Sequence, residues 1–108
     1  MPQIIFKGTE EADIINISKE LLDELEKQTE IPRDYFTLEY VETVYIMDGE
    51  RIKLYPLIEI IMFDRGEEIK DKIAGITDRL LRKEGYEQIE IYFTDLKKRD
   101  YYENGEHY

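Results

Sequence analysis

The sequence predicts an α+β fold of order β-α-β-β-α-β, with a four-stranded sheet carrying two helices on one face. Three observations predict it. Apolar residues recur at helical spacing in two stretches. Other stretches are rich in β-branched and aromatic residues and are bounded by turn signals. The first half also corresponds to the second at a near-constant offset.

Residues 2–7, with Ile4-Ile5-Phe6 at their centre, read as a strand. Gly8-Thr9 breaks it, and Thr9 is placed to cap a helix. Ile14, Ile17, Leu21 and Leu25 form one stripe, which predicts a helix over 10–29, closed before Pro32. Tyr35 to Met47 reads as one long strand. Asp48-Gly49 marks a hairpin, and a second long strand follows over 52–63.

Asp64 and Glu67 have the spacing of a capping box. Ile69, Ile73, Ile76 and Leu80 predict the second helix, which Arg82, Lys83 and Gly85 end. Ile89, Ile91 and Phe93 alternate with polar residues, so 88–95 is a strand. The tail carries a tight-turn pair, Asn104-Gly105.

Each helix has one apolar stripe, so both can cover the same side of a sheet. Leu57, Ile58, Ile60, Ile61, Met62 and Phe63 are apolar on both sides of the pleat. A strand of that kind needs cover on both faces, and two helices supply only one. The other face is therefore expected to meet a second copy of the chain.

Pro2 corresponds to Pro56 at an offset of 54, Ile14 to Ile69 and Leu25 to Leu80 at 55, and Tyr35 to Gln88 at 53. The expected organisation is one domain over 1–108, with halves near 1–50 and 55–96 and a tail over 97–108.

Composition narrows the function. Fifteen Lys and Arg against 26 Asp and Glu leave a net charge of −11. That field opposes phosphate backbones and anionic membrane surfaces, so neither nucleic acid nor a membrane is an expected partner. No apolar run is long enough to span a bilayer, and no secretory leader pattern opens the chain. A cytoplasmic protein is expected. The chain has no cysteine and one histidine, and no phosphate-loop or zinc spacing. No metal and no cofactor are expected.

The chemistry lies at Met1-Pro2. Removal of Met1 would leave Pro2 with a free secondary amine. Held at a strand end in apolar surroundings, that amine can act as a general base near neutral pH. The plainer alternative is a proline that merely begins an edge strand. An enolate formed by such a base needs a fixed cation. Arg33, Lys7, Arg65 and Lys53 are the candidates. Arg33 ranks first, because the second strand begins there, beside the start of the first if the two run parallel. Tyr40, Tyr92, Tyr101 and Tyr102 can donate hydrogen bonds or fill an interface. Glu59 reads as the partner of an arginine across a subunit boundary, and His107 as a hydrogen-bonding tail residue.

Met1-Pro2 before a strand, the paired βαβ units and the length resemble the tautomerase superfamily. The branch containing macrophage migration inhibitory factor is the most similar. Its proline-containing turn and second strand resemble Thr29 to Val41, and its late strand resembles residues 86–96. Phe36-Thr37-Leu38-Glu39, Phe63-Asp64-Arg65 and the ending Tyr-Tyr-x-x-Gly-x-His-aromatic at 101–108 are similar to a small bacterial family of the same fold.

The resemblance implies a homotrimer with Pro2 in a pocket between subunits. It implies Pro2 and Arg33 as catalytic residues, acting on a small enolisable keto compound such as a keto acid. Ile31 takes the place of that family's pocket lysine, while Glu90 and Tyr92 take the places of a tyrosine and an asparagine. Tyr40, Glu90, Tyr92 and Lys7 are the expected substrate-binding residues. A non-catalytic oligomeric ligand-binding module is the alternative function. The alternative fold is ferredoxin-like, in which the strands flanking each helix are not neighbours.

Overall fold

The computed structural model describes residues 1–107. Tyr108, the last residue of the 101–108 motif, lies outside the described residues. Strand β1 (Gln3–Lys7) leads into helix α1 (Glu11–Thr29), a 3-10 turn at Arg33–Tyr35 and strand β2 (Thr37–Val41). A hairpin of β3 (Tyr45–Met47) and β4 (Glu50–Ile52) follows. Then come β5 (Leu57–Phe63), helix α2 (Glu67–Lys83) and β6 (Glu90–Leu96). A 3-10 turn at Lys98–Asp100 precedes a second small hairpin, β7 (Tyr102–Glu103) with β8 (Glu106–His107). Among the described residues, no helix is long and apolar enough to cross a membrane.

The main sheet has the order β2-β1-β5-β6. β1 runs parallel to β2, β5 parallel to β6, and β1 antiparallel to β5. The strands flanking each helix are therefore neighbours, which excludes the ferredoxin-like arrangement. The expected α+β fold, with two helices on a four-stranded sheet, is the one observed.

One side of the sheet builds the core. Ile4, Phe6, Ile58, Ile60 and Met62 reach the same cluster as Ile14, Ile17, Leu21 and Leu25 of α1 and Ile73, Ile76 and Leu80 of α2. Each such side chain contributes about 1.5–3 kcal/mol on burial. Alternate residues, including Ile5, Lys7, Leu57, Glu59, Ile61 and Tyr92, point to the opposite face. Two polar pairs lie there. The Thr94 hydroxyl donates to Glu59 Oε2 at 2.7 Å, and the Gln3 amide donates to Glu39. Glu59, expected to await an arginine, thus has a hydroxyl partner in its own chain.

Both long strands are shorter than predicted. The last β1–β2 pair is Lys7 with Val41. Gly8, at φ +74°, turns the chain out of the sheet, so residues beyond Val41 have no strand to pair with. Pairing resumes only in the hairpin, where Tyr45 faces Ile52 across Asp48-Gly49. Both turn residues have positive φ, 52° and 80°, as a tight type I′ turn requires. β5 begins at Leu57 because that residue faces Lys7.

Both predicted caps also fail. The N-cap of α1 is Glu10, and the Thr9 side chain is buried without a hydrogen-bond partner among the described residues. The N-cap of α2 is Gly66, at φ +97°. Asp64 instead accepts the Gly66 N–H at 2.9 Å, forming a local turn.

Helix α1 is held at its start by Tyr86, from the segment between α2 and β6. The Glu10 N–H donates to the Tyr86 hydroxyl at 2.8 Å, and that hydroxyl donates to Asp13 Oδ2 at 2.5 Å. Burial first, then the hydrogen bond to Asp13, push the Tyr86 phenol up to about 12. The neutral phenol is therefore favoured by folding. Its stabilisation is complete below the unfolded value of about 10 and is lost as pH rises toward about 12. Tyr86→Phe is expected to cost about 1–2 kcal/mol in urea unfolding at pH 7. The gap from wild type should then close above pH 10. A gap that stays constant through about pH 12 would show that folding does not raise the Tyr86 phenol pKa.

Candidate functional site at the start of the first strand

Pro2 is buried just before β1. It lacks an N–H, so a strand can begin on it without losing a ladder hydrogen bond. Its carbonyl accepts the Thr37 N–H at 3.0 Å, which joins the starts of β1 and β2. The chain reaches Thr37 through a compact exit from α1. Thr29 Oγ1 donates to the Leu25 carbonyl at 2.6 Å and accepts the Ile31 N–H at 3.2 Å. Pro32 then leads the 3-10 turn, with the Tyr35 N–H donating to its carbonyl at 3.0 Å.

These elements surround a cavity of about 370 Å³ at the amino terminus. Met1, Asp34, Tyr35, Thr37, Tyr101 and Glu103 line it. Tyr101 packs edge-on against Phe63 with ring centres 5.2 Å apart, so the C-terminal segment supplies one wall. β5 runs antiparallel to β1, with Ile61 facing Gln3, and this carries the residues after Phe63 toward the chain start. Arg65 consequently acts on the terminal amine. Burial first, then the Arg65 charge, hold the Met1 amine below its usual value. Among the described residues Arg65 has no salt-bridge partner.

Arg33, placed first by sequence, is directed elsewhere. Its Nε lies 2.8 Å from Asp23 Oδ1, and its backbone N–H donates to Glu26 at 2.8 Å. Hydrogen bonds from Lys19 first, then Arg33, hold the Asp23 carboxyl below the usual carboxylate range. The guanidinium is thus committed to the surface of α1. Chain proximity put Arg33 near Pro2, but a carboxylate two turns back in the helix captures it.

The other candidates gather at the opposite end of the sheet. Lys7 faces Leu57, Leu57 faces Glu90, and Glu59 in the next row faces Tyr92. At about 3.3 Å per residue, this end lies roughly 17 Å from Pro2. Lys7, Glu90 and Tyr92 share the face away from the helices. Tyr40 faces the helix side opposite Phe6, and its hydroxyl pKa is raised by burial first and then by Glu42, Glu10 and Glu11. A single chain therefore sets Lys7 and Glu90 on either side of Leu57 in one row and brings neither of them to Pro2. Sequence reasoning missed Asp34, Tyr35, Thr37 and Glu103. Their only legible signal was that the first strands run parallel, which places the turn before β2 beside Met1.

A domain family described as a domain of unknown function, DUF1904, matches residues 1–107. The chain belongs to the DUF1904 family. A DUF1904 domain from Sebaldella termitidis is 37% identical over 100% of both chains, with a TM-score of 0.92. A protein of unknown function from Vibrio cholerae is 29% identical over 99% of this chain and 87% of its own, at 0.85. A macrophage migration inhibitory factor-like protein from Entamoeba histolytica is 21% identical over 99% and 98%, at 0.69. Malonate semialdehyde decarboxylase and a fused 4-OT share the fold at lower identity. No curated protein matches. The resemblance read from Met1-Pro2 and the paired βαβ units therefore holds: this DUF1904 chain has the tautomerase fold.

Proposed function

We propose that this DUF1904 domain transfers a proton on a small enolisable keto acid, in the cytoplasm, as a homo-oligomer whose expected count is three. Removal of Met1 frees the Pro2 secondary amine. That amine takes the proton α to the carbonyl, and the protonated amine returns it at a different atom of the enolate. Arg65, rather than Arg33, steadies the enolate charge.

The observation that carries this reading is the setting of Met1: it lines a cavity at the start of β1, and its amine is held low by burial and by Arg65, one residue ahead of the buried Pro2. Burial and a neighbouring cation both disfavour the protonated amine, which makes free base available near pH 7. A fused 4-OT of this fold, 15% identical, is described as a symmetric trimer. Another protein of the fold, 12% identical, is described as inactivated by 2-oxo-3-pentynoate. In a ring of copies, the end of one sheet carrying Lys7, Glu90 and Tyr92 would meet the Pro2 end of the next.

Intact mass of natively expressed protein, before and after incubation with 2-oxo-3-pentynoate, tests this directly. The expected result is loss of Met1 and one adduct mapped to Pro2. Retained Met1 would end the proposal, because the Pro2 nitrogen would then be an amide. In an enol-ketonisation assay, Arg65→Ala is expected to lower turnover by about 100-fold. Arg33→Ala should stay within about twofold, because its guanidinium serves Asp23. Equal losses in the two variants would remove Arg65 from its role.

The separation of Lys7, Tyr40, Glu90 and Tyr92 from Pro2 within one chain favours a second reading, a non-catalytic oligomeric ligand-binding module. Under that reading the alkynoate leaves Pro2 unlabelled and ketonisation proceeds at the solvent rate.

A further inference from the structure

The fold builds a second corner like the one at Pro2. Pro56 is buried just before β5, as Pro2 is before β1. Its carbonyl accepts the Glu90 N–H at 3.0 Å, and the Pro2 carbonyl accepts the Thr37 N–H at 3.0 Å. Tyr55, Glu87 and Gln88 line a cavity there. They stand 54, 53 and 53 positions after Met1, Asp34 and Tyr35, which line the first. The second cavity is the larger, at about 460 Å³ against about 370 Å³.

The chemistry of the two corners differs. The chain runs on through Pro56, so its nitrogen is an amide and cannot act as a base. Lys53 lies at the same cavity, and Leu54, Pro56 and Tyr86 give it apolar walls. Tyr86 is held in place through its hydroxyl by Asp13. Among the described residues, neither the Lys53 ammonium nor the Tyr55 hydroxyl has a hydrogen-bond or ion-pair partner. An ammonium and a phenol O–H, both with donors to spare, complement a carboxylate. The net charge of −11 and the nearby Glu87 oppose ligands with more than one negative charge.

We propose that this corner is a second, non-reactive binding niche for a small monocarboxylate with an apolar body. The carboxylate sits on Lys53 and the Tyr55 hydroxyl, and the body lies against Leu54, Pro56 and the Tyr86 ring. The niche lies at the sheet end carrying Glu90, the end that the proposed ring would bring to a neighbour's Pro2, and its test reads binding, which stands apart from turnover.

Benzoate titrated into the isotopically labelled full chain, followed by amide NMR, is the test, with benzyl alcohol as the uncharged control. Benzoate is expected to shift the Tyr55, Glu87 and Gln88 amides and to bind at least tenfold more tightly than the alcohol. Lys53→Gln should weaken benzoate at least fivefold, and Tyr55→Phe about threefold, with the rest of the spectrum unchanged. Shifts confined to the Met1–Thr37 corner would overturn the assignment, as would no shifts at all. Equal binding of the alcohol, or unchanged affinity in Lys53→Gln, would overturn the carboxylate class.

Discussion

Replacing Pro2 by alanine is expected to lower keto–enol proton transfer by at least about 100-fold, the usual contribution of a positioned general base. Alanine also permits removal of Met1, so the variant keeps an amine. It loses the secondary amine and the ring that fixes φ and holds the nitrogen against the buried strand start. The fold should survive, because the hydrogen bond at this corner is made by the residue 2 carbonyl, which alanine retains.

The pH profile separates a lost base from a merely distorted pocket. A base works unprotonated, so wild-type turnover should rise with pH through the amine pKa. Burial and Arg65 hold the Met1 amine below its usual value, and the same two effects are expected to act on the Pro2 amine once Met1 is removed. Removing the Arg65 charge removes one of these effects, so Arg65→Ala should move the inflection upward. A profile that stays fixed in Arg65→Ala, or a Pro2→Ala variant with full turnover, would sink the assignment of Pro2 as the base.

Gly8→Ala is expected to destabilise the chain by about 3–4 kcal/mol. The sum combines the strain of a non-glycine residue at positive φ with overpacking against a fixed neighbour. Gly8 has φ +74°, and a Cβ there would stand 2.0 Å from the Tyr55 carbonyl oxygen and 2.9 Å from the Tyr45 hydroxyl. Those two atoms are already joined, since the Tyr45 hydroxyl donates to the Tyr55 carbonyl at 2.8 Å. Because the carbonyl is backbone just ahead of Pro56, it cannot swing aside as a side-chain tip could. The substitution therefore forces β1 away from the base of the β3–β4 hairpin. Urea unfolding measures the loss. A change below about 1 kcal/mol would mean that the close approach is relieved by small shifts.

Much of this architecture was legible in the sequence. The apolar stripes Ile14-Ile17-Leu21-Leu25 and Ile73-Ile76-Leu80 set two helices, since a helix needs only local spacing to declare its buried face. Asp48-Gly49 and Asn104-Gly105 set two tight turns for the same local reason. Strand ends were less legible. Residues 42–44 and 53–56 have strand-like composition, yet a strand lasts only as long as its neighbour does, and Gly8 removes that neighbour. The caps at Thr9 and Asp64 failed because a polar side chain beside a helix start has other local partners or none.

The candidate site divides the same way. Pro2 was readable as a candidate because the chemistry proposed for it rests on its position in the chain alone. The sequence ranked Arg33 above Arg65 on chain proximity to the second strand alone. One lies four residues before β2 and the other two residues after β5, and both are surface cations by composition. The antiparallel pairing of β1 with β5 carries Arg65 to the amino terminus, while Asp23 on α1 holds Arg33. By itself, then, the sequence determined the element order, the helical faces and the proline next to the chain start, because spacing and covalent position are local properties. Strand adjacency, the cation beside the amine and the second corner at Pro56 were decided only by the tertiary structure, because each depends on groups distant in the chain meeting across a sheet.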